Sequence, residues 1–187
     1  MESVEEVLLE TEDKMEKTVE FVHEQFSGLR TGKASPALVE NVTVSYYGSM
    51  TRLRELAGIS TPEPRLIVIN AYDPTALPEI EKAILAANIG VTPMNDGRVI
   101  RVPIPELSTE RRVEMTKLAK RMAEEGRVAV RNVRRDANEA VKALEKGGKA
   151  SEDERDETLK AIQKLTDDHI AKIDASLKSK EAEVMEV

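Results

Sequence analysis

The sequence predicts an α+β protein, an elongated three-helix bundle with a small β/α/β domain inserted into it. All eight prolines lie between Pro36 and Pro105, and the long flanks outside that window contain none. Proline costs about 3 kcal/mol inside a helix, so the flanks are free to form long helices. The three tyrosines lie in the same window as the prolines. We therefore expect the bundle to comprise residues 1–30 and 105–187, and the inserted domain to comprise residues 31–104.

The first flank predicts one helix with a single buried face. Ser3 and Glu6 have the spacing of a capping box, which marks a helix start. The apolar positions that follow recur every three or four residues: Val4, Leu8, Met15, Val22 and Leu29, with Val7, Val19 and Phe26 beside them. This period is typical of an amphipathic helix whose apolar stripe packs against partners.

The inserted window has the signals of a small α/β domain. Val42, Val44 and Tyr46 alternate with polar residues, which is the period of a strand. Residues 66–69 form a short apolar run, and residues 99–102 form another after a turn at 95–97. A helix is expected between them, at about residues 75–88.

The second flank predicts two more helices. The longer runs from Thr109 to about Lys146, where Gly147 and Gly148 provide a stop. Its predicted apolar line is Met115, Leu118, Met122, Ala129, Val133, Ala137, Ala140 and Leu144. A second capping box, Ser151 with Glu154, opens the last helix. Its stripe is Leu159, Ile162, Ile170, Ile173, Leu177 and Val184. Three narrow stripes can bury one another in a bundle, and two crossings to the insert at one end indicate an L shape.

The net charge of −7 hides one basic segment. Residues 1–29 carry −7 and residues 150–187 carry −5, whereas residues 105–149 carry +4. Most of the positive charge falls on one face of the long helix, which we call the basic ridge: Lys117, Lys120, Arg127, Arg131, Arg134, Arg135 and Lys142. We expect the ridge to lie opposite the apolar line and to contact nucleic-acid phosphates without reading bases. The alternative is a solvated face partly neutralised by Glu124, Asp136 and Glu139.

Signals for catalysis or metal binding are missing from the sequence. There is no cysteine, no phosphate-binding glycine loop and no apolar stretch long enough to cross a bilayer. His23 and His169 are each expected at the bundle surface or edge. Asp73 and Asp96, the acids of interest to an enzyme hypothesis, are expected to serve turns. We therefore expect no cofactor and no metal. Besides the enzyme hypothesis, one other function remains as an alternative, a coiled-coil scaffold whose partner is a protein.

Several motifs together carry a resemblance to a known family. In chain order they are RTGKASP (30–36), SYYG (45–48), EKAI (81–84), STERR (108–112), VAVRNVRRDAN (128–138), SEDE (151–154) and QKLTD (163–167). The chain closely resembles the ribosome recycling factor family over essentially its whole length. The family's L-shaped architecture, a three-helix bundle with an inserted β/α/β domain, agrees with the expected fold.

The resemblance implies a non-catalytic translation factor of the bacterial cytoplasm. Such a factor binds the large ribosomal subunit after termination, with its bundle against ribosomal RNA. Together with elongation factor G and GTP it splits the post-termination complex into subunits. We expect a monomer that does not bind membranes.

The resemblance also implies which residues act. Arg131, Arg134 and Arg135 match the family's RNA-contacting arginines, with Arg134 the first choice. Arg127 is added from its place on the basic ridge, and Arg30 is a second candidate whose alternative role is an ion pair or helix-end contact. The expected hinge residues are Leu29, Arg30, Thr31, Gly32, Pro103, Ile104 and Pro105. Two departures from the family pattern are Lys33, where arginine is common, and Gly126, which is expected to weaken the long helix by about 1 kcal/mol relative to Ala.

Overall fold

The computed structural model describes residues 3–186 and divides the chain into two compact units. Unit 1 comprises residues up to Leu29 together with the segment from Glu110 onward, and unit 2 comprises Arg30–Thr109. The predicted bundle limits also take in residues 1, 2 and 187, which lie outside the described residues. Each unit is described by itself below.

The elements follow one another in an α+β order. The helices are α1 (Val4–Ser27), α2 (Leu53–Leu56), α3 (Leu77–Ala86), α4 (Thr109–Lys146) and α5 (Glu152–Met185). The strands are β1 (Thr43–Tyr46), β2 (Ser49–Arg52), β3 (Ala57–Glu63), β4 (Leu66–Ala71), β5 (Met94–Asn95) and β6 (Ile100–Pro103). The predicted combination of three long helices with a small sheet domain is confirmed. Among residues 3–186, none of the helices has the length and apolar character that crossing a membrane requires.

The ends of the long helices are set by the expected local signals. The Ser3 side chain accepts a hydrogen bond from the Glu6 N–H and caps α1. At α5 the capping box is complete, because Ser151 accepts from the Glu154 N–H while the Glu154 carboxylate accepts from the Ser151 N–H. Gly148, with φ of +70°, ends α4 in the left-handed region. The three predicted helix starts and stops are therefore confirmed.

Unit 1 is a bundle in which α4 buries small residues. Residues of α1, α4 and α5 share one core, with Met15 and Val22 from α1, Ala123 and Val130 from α4, and Ile173 from α5. The buried line of α4 is Ala119, Ala123, Gly126, Val130, Ala137, Val141 and Leu144. Most residues of the predicted apolar line are only half-buried, and they lie along one side of the observed buried line. The true line is rotated by about 50–60° toward the basic ridge, because alanine and glycine allow the helices to approach closely.

One histidine lies where the sequence did not place it. His169 on α5 is 3% exposed, and its Nδ1 lies 2.6 Å from the Leu165 carbonyl oxygen one turn earlier. The expectation of a surface or edge position was wrong for His169, because it occupies the same buried α5 stripe as Ile162, Thr166 and Ile173. His23 is exposed, as expected, and lies 3.0 Å from the Ser176 hydroxyl.

Unit 2 is built on a four-stranded antiparallel sheet in the order β3-β4-β6-β5, accompanied by the β1–β2 hairpin. Ile67 and Ile69 of β4 and Ile100 of β6 are fully buried, and Ile80 and Ile84 of α3 pack into the same core. The predicted turn at 95–97 joins β5 to β6. Strand β3 and the short β2 were not predicted. β3 contains Gly58 and Pro62, and its pairing with β4 shifts register between Ser60 and Glu63, so the alternation that marks a strand is interrupted.

The chain crosses between units at Leu29–Arg30 and at Thr109–Glu110. The second crossing lies five residues beyond the predicted limit at 104. The reason is local, because the Ile104 N–H donates to the Arg65 carbonyl oxygen at 2.8 Å and Arg65 also pairs with Glu106. These contacts hold the segment after β6 to unit 2.

Candidate nucleic-acid interface

The basic ridge lies beside the buried line of α4 rather than opposite it. With the buried line taken as 0° and about 100° per residue, Arg134 falls at about 60° and Arg127 at about 80°. Arg131 falls at about 120° and Arg135 at about 160° on the same scale. Two ridge arginines therefore border the contact with α5, and two project further outward. Their exposure agrees, since Arg127 and Arg134 are half-buried while Arg131 and Arg135 are exposed.

Arg127 is bound within the bundle by two carboxylates. Its Nη1 donates to Asp174 of α5 at 2.5 Å, and its Nε donates to Glu124 one turn earlier at 2.8 Å. Only 22% of its side chain is exposed. In the free protein, Arg127 links α4 to α5 as well as contributing charge to the ridge.

Arg131 shares the Glu124 carboxylate with Arg127. Its Nη2 donates to Glu124 Oε1 at 2.6 Å, while 45% of its side chain remains exposed. The hydrogen bond from Arg127, followed by the one from Arg131, lowers the pKa of Glu124 below its usual range. The carboxylate is therefore ionised at neutral pH and neutralises part of the ridge.

Arg134 is held by a neutral side chain. Its Nη1 donates to Gln163 Oε1 on α5 at 3.1 Å, and Gln163 Nε2 donates in turn to Asp167 Oδ1 at 2.9 Å. The Nε atom of Arg134 is buried and makes no protein hydrogen bond. Within residues 3–186, no carboxylate forms an ion pair with this guanidinium.

Arg135 is the most exposed arginine of the ridge. Its side chain is 68% exposed, and its Nε lies 3.8 Å from Asp136 Oδ1, which is long for an ion pair. Lys117 and Lys142 are exposed on the same face, and Lys120 lies 3.3 Å from Glu181. Among the four arginines of the ridge, Arg134 and Arg135 are the least neutralised by carboxylates of the described residues.

Arg30 lies at the start of unit 2, apart from the ridge in sequence. A Cβ atom on Gly90 would lie 3.0 Å from Arg30 Nη1, so the guanidinium rests against that glycine. In the described part of the chain Arg30 forms no ion pair. Among the other expected hinge residues, Leu29 is buried in the bundle core and Gly32 lies against Leu107 with φ of +79°.

The two acids that an enzyme hypothesis would need are engaged in turns. Asp73 accepts hydrogen bonds from the Thr75 hydroxyl at 2.7 Å, the Thr75 N–H at 3.0 Å and the Tyr46 hydroxyl at 2.9 Å. Asp96 accepts from the N–H groups of Arg98 and Val99, each at 2.9 Å. Their expected turn roles are confirmed. No group of three or more acidic or histidine side chains suited to a metal ion occurs among residues 3–186.

Sequence reasoning missed the partners that α5 supplies to the ridge. Glu124 was recognised as a neutralising acid, and its spacing of three residues from Arg127 was a readable signal. Asp174 and Gln163 carry no such signal, because their contacts depend on how α5 lies against α4.

Comparisons with known proteins agree with the motif resemblance. A profile of the ribosome recycling factor family matches residues 22–185 of this chain. The ribosome-recycling factor of Pelotomaculum thermopropionicum is 52% identical over 182 residues, covering 97% of this chain and 98% of that protein. The ribosome-recycling factor of Bacillus subtilis is 50% identical over 182 residues with the same coverage.

Solved structures give the same result. The solution structure of a ribosome recycling factor matches with a TM-score of 0.78 at 44% identity, covering 98% of each chain. A second match, at TM-score 0.67 and 40% identity, covers 98% of this chain and 99% of its own. It is described as the T. thermophilus ribosome recycling factor and the E. coli elongation factor G bound to the E. coli post-termination complex. This chain belongs to the ribosome recycling factor family, a family of non-catalytic translation factors.

Proposed function

We propose that this protein recycles ribosomes after termination. It binds the large ribosomal subunit and, together with elongation factor G and GTP, splits the post-termination complex into subunits. The observation that carries the proposal is the similarity to ribosome recycling factors over 97–98% of the chain, including one described with elongation factor G on a post-termination complex. GTP hydrolysis belongs to elongation factor G, and this protein supplies binding and mechanical coupling.

The proposed RNA contacts are the outward arginines of the basic ridge. Arg131, Arg134 and Arg135 fall within about 100° of arc on α4, which suits a row of phosphates. The guanidinium fork can bind phosphate oxygens in pairs, and such contacts give affinity that does not depend on base sequence. Arg134 combines a half-buried, oriented position with an uncompensated charge, which supports it as the principal contact.

Arg127 and Arg30 are secondary candidates. Arg127 would have to exchange Asp174 or Glu124 for a phosphate, so we propose a smaller contribution from it. Arg30 is exposed without an ion pair among the described residues, which leaves its charge available to RNA.

We further propose that unit 2 moves during splitting while unit 1 stays anchored on RNA. The two crossings between the units would serve as the hinge, with elongation factor G acting on unit 2. Of the predicted hinge residues, Leu29, Arg30, Thr31 and Gly32 lie at the first crossing and are kept in the proposed hinge. Pro103, Ile104 and Pro105 lie within unit 2, four to six residues before its end at Thr109, so the proposed hinge at the second crossing is placed at Thr109–Glu110.

The proposed location is the bacterial cytoplasm, where ribosomes are found, and the proposed form is a monomer. The location follows from the proposed role, and the monomer is the form in which we propose that the protein acts. Sedimentation equilibrium of the purified protein tests the second point.

A subunit-splitting assay tests the proposed function directly. Post-termination ribosomes are mixed with elongation factor G and GTP, with and without this protein, and splitting is followed by light scattering. Rapid splitting should require all three components. Omitting GTP, or replacing it with a non-hydrolysable analogue, is the matched control.

A contrary outcome is equally clear. Splitting at the same rate without this protein, or no splitting with it, would refute the proposed function. Cosedimentation with large subunits that falls steeply with salt would support RNA contact, and its absence would favour a scaffold with a protein partner.

A further inference from the structure

We propose that Gln163 on α5 is a positioning residue that orients Arg134 toward a phosphate while leaving its charge unneutralised. The inference rests on the proposed function, because it assigns Gln163 a role in the same RNA contact. It adds to the proposed RNA contact a residue that lies on α5 and is not itself an arginine.

The first support is the contrast between neighbours on the ridge. Arg127 and Arg131 are held by carboxylates at 2.5–2.8 Å, from Asp174 and Glu124. Arg134 is held by an amide at 3.1 Å. A carboxylate partner would fix the guanidinium equally well but would cancel its charge, whereas an amide oxygen fixes it and cancels nothing.

The second support is the way in which the amide itself is oriented. Gln163 Nε2 donates to Asp167 Oδ1, one turn further along α5, at 2.9 Å. An amide has one accepting and one donating end, so a carboxylate on the donating end turns the oxygen toward Arg134. Asp167 therefore fixes the orientation of Gln163 without forming an ion pair with Arg134.

The third support is the state of the three guanidinium nitrogens. Nε is buried without a protein partner, Nη1 donates to Gln163, and Nη2 has no hydrogen-bond partner within the described range of residues. The inner edge of the guanidinium thus faces the bundle, while Nη2 and the second N–H of Nη1 remain for an external acceptor. A phosphate oxygen pair fits two adjacent donors of this kind.

The test compares two substitutions of Gln163 with a matched control. Gln163→Glu keeps the shape but adds a charge beside Arg134, and Gln163→Met removes the hydrogen bond without adding charge. Gln25→Glu makes the same chemical change on α1, where Gln25 is also exposed. Binding to purified large ribosomal subunits is measured across a range of salt concentrations, after circular dichroism has shown each variant to be folded.

We expect Gln163→Glu to weaken binding about tenfold and to reduce the slope of log affinity against log salt by about one. Gln163→Met should weaken binding by a few-fold with the slope unchanged, because the charge remains but its orientation is lost. Gln25→Glu should stay within about twofold of the wild type. In an Arg134→Ala background, neither Gln163 substitution should have a further effect, since the residue acts through Arg134.

The outcomes separate this inference from the proposed function. Wild-type protein that fails to bind large subunits would overturn the proposed function and the role of Gln163 with it. Normal wild-type binding with Gln163→Glu equal to Gln25→Glu would overturn the role of Gln163 alone. The same holds if the effects of Gln163→Glu and Arg134→Ala are additive.

Discussion

A Cβ atom placed on Gly126 of α4 would lie 2.5 Å from Cγ2 of Val22 on α1. The same atom would lie 3.3 Å from Cδ1 of Ile173 on α5. All three residues are buried in the bundle core. The glycine that is expected to weaken a long helix therefore lies where three helices pack tightly against one another.

Gly126→Ala is expected to destabilise the bundle by about 1–3 kcal/mol, even though alanine favours the helix by about 1 kcal/mol. The added methyl group has no room unless Val22 moves. Urea denaturation followed by far-ultraviolet circular dichroism measures the change. Repeating Gly126→Ala in a Val22→Ala background is the control, and there the substitution should be neutral or stabilising. A more stable Gly126→Ala protein in the wild-type background would contradict the packing argument.

Arg134→Ala is expected to weaken binding to large ribosomal subunits by about 1–3 kcal/mol, which is the value of a charge-assisted hydrogen bond. The fold should remain intact, because Arg134 forms no ion pair with the described residues. Arg121→Ala is the matched control, since Arg121 is a 70% exposed arginine outside the basic ridge, about 140° around α4 from Arg134. Equal losses from the two substitutions would show that only total charge matters.

Glu124→Gln is expected to raise the affinity for ribosomal RNA and to steepen its salt dependence by about one unit of slope. The reason is that Glu124 accepts hydrogen bonds from both Arg127 and Arg131, and these keep its pKa low and its charge present at neutral pH. Glu125→Gln is the control, because it changes the net charge equally while the Glu125 carboxylate lies 3.8 Å from Arg121, which is not a ridge residue. Identical gains from both variants would rule out local release of the arginines.

Asp73→Asn is expected to lower the stability of unit 2 at neutral pH and to reduce its sensitivity to acid. Hydrogen bonds from Thr75, and then from Tyr46, lower the pKa of the Asp73 carboxyl. A lowered pKa in the folded state stabilises the fold above the unfolded value of about 3.9, and this contribution is lost as the pH falls through the folded value. The wild type should therefore lose more stability than the variant below about pH 4.

Tyrosine fluorescence is the measurement for Asp73→Asn, because Tyr46, Tyr47 and Tyr72 all lie in unit 2 and the chain has no tryptophan. Thermal unfolding is followed between neutral pH and pH values below the carboxyl range. Glu63→Gln is the control, as its exposed side chain makes no hydrogen bond or ion pair within residues 3–186. Parallel pH profiles for wild type and Asp73→Asn would count against the linkage.

The helix limits could be predicted because their signals are local. Capping residues such as Ser151 and Glu154 act within one turn, and the stop at Gly148 follows from its backbone freedom alone. Strand β3 was missed because Gly58 and Pro62 interrupt its pattern, and its place depends on pairing with β4. Sequence patterns therefore predict local structure better than they predict pairing between segments that are far apart in the chain.

The sequence was enough to predict which residues form the basic ridge, but not how buried each one is or which partner it binds. Counting only large apolar side chains displaced the predicted line on α4, because the buried line includes Ala119, Ala123 and Gly126. That displacement hid the fact that Arg127 and Arg134 border α5. The different partners that α5 gives them, Asp174 and Gln163, follow from helix packing rather than from spacing on α4.

Glu124 gives the ridge a counterion of its own. An arginine that leaves this carboxylate for a phosphate frees a cation from the RNA but leaves Glu124 without its partner, and cation uptake by Glu124 offsets that release. Arg134, which has no such anion within the described chain, would set free an ion condensed on the RNA. The slope of log affinity against log salt should therefore indicate fewer phosphate contacts than the arginines of the ridge make. The difference between these two numbers measures how much of the ridge charge is already neutralised in the free protein.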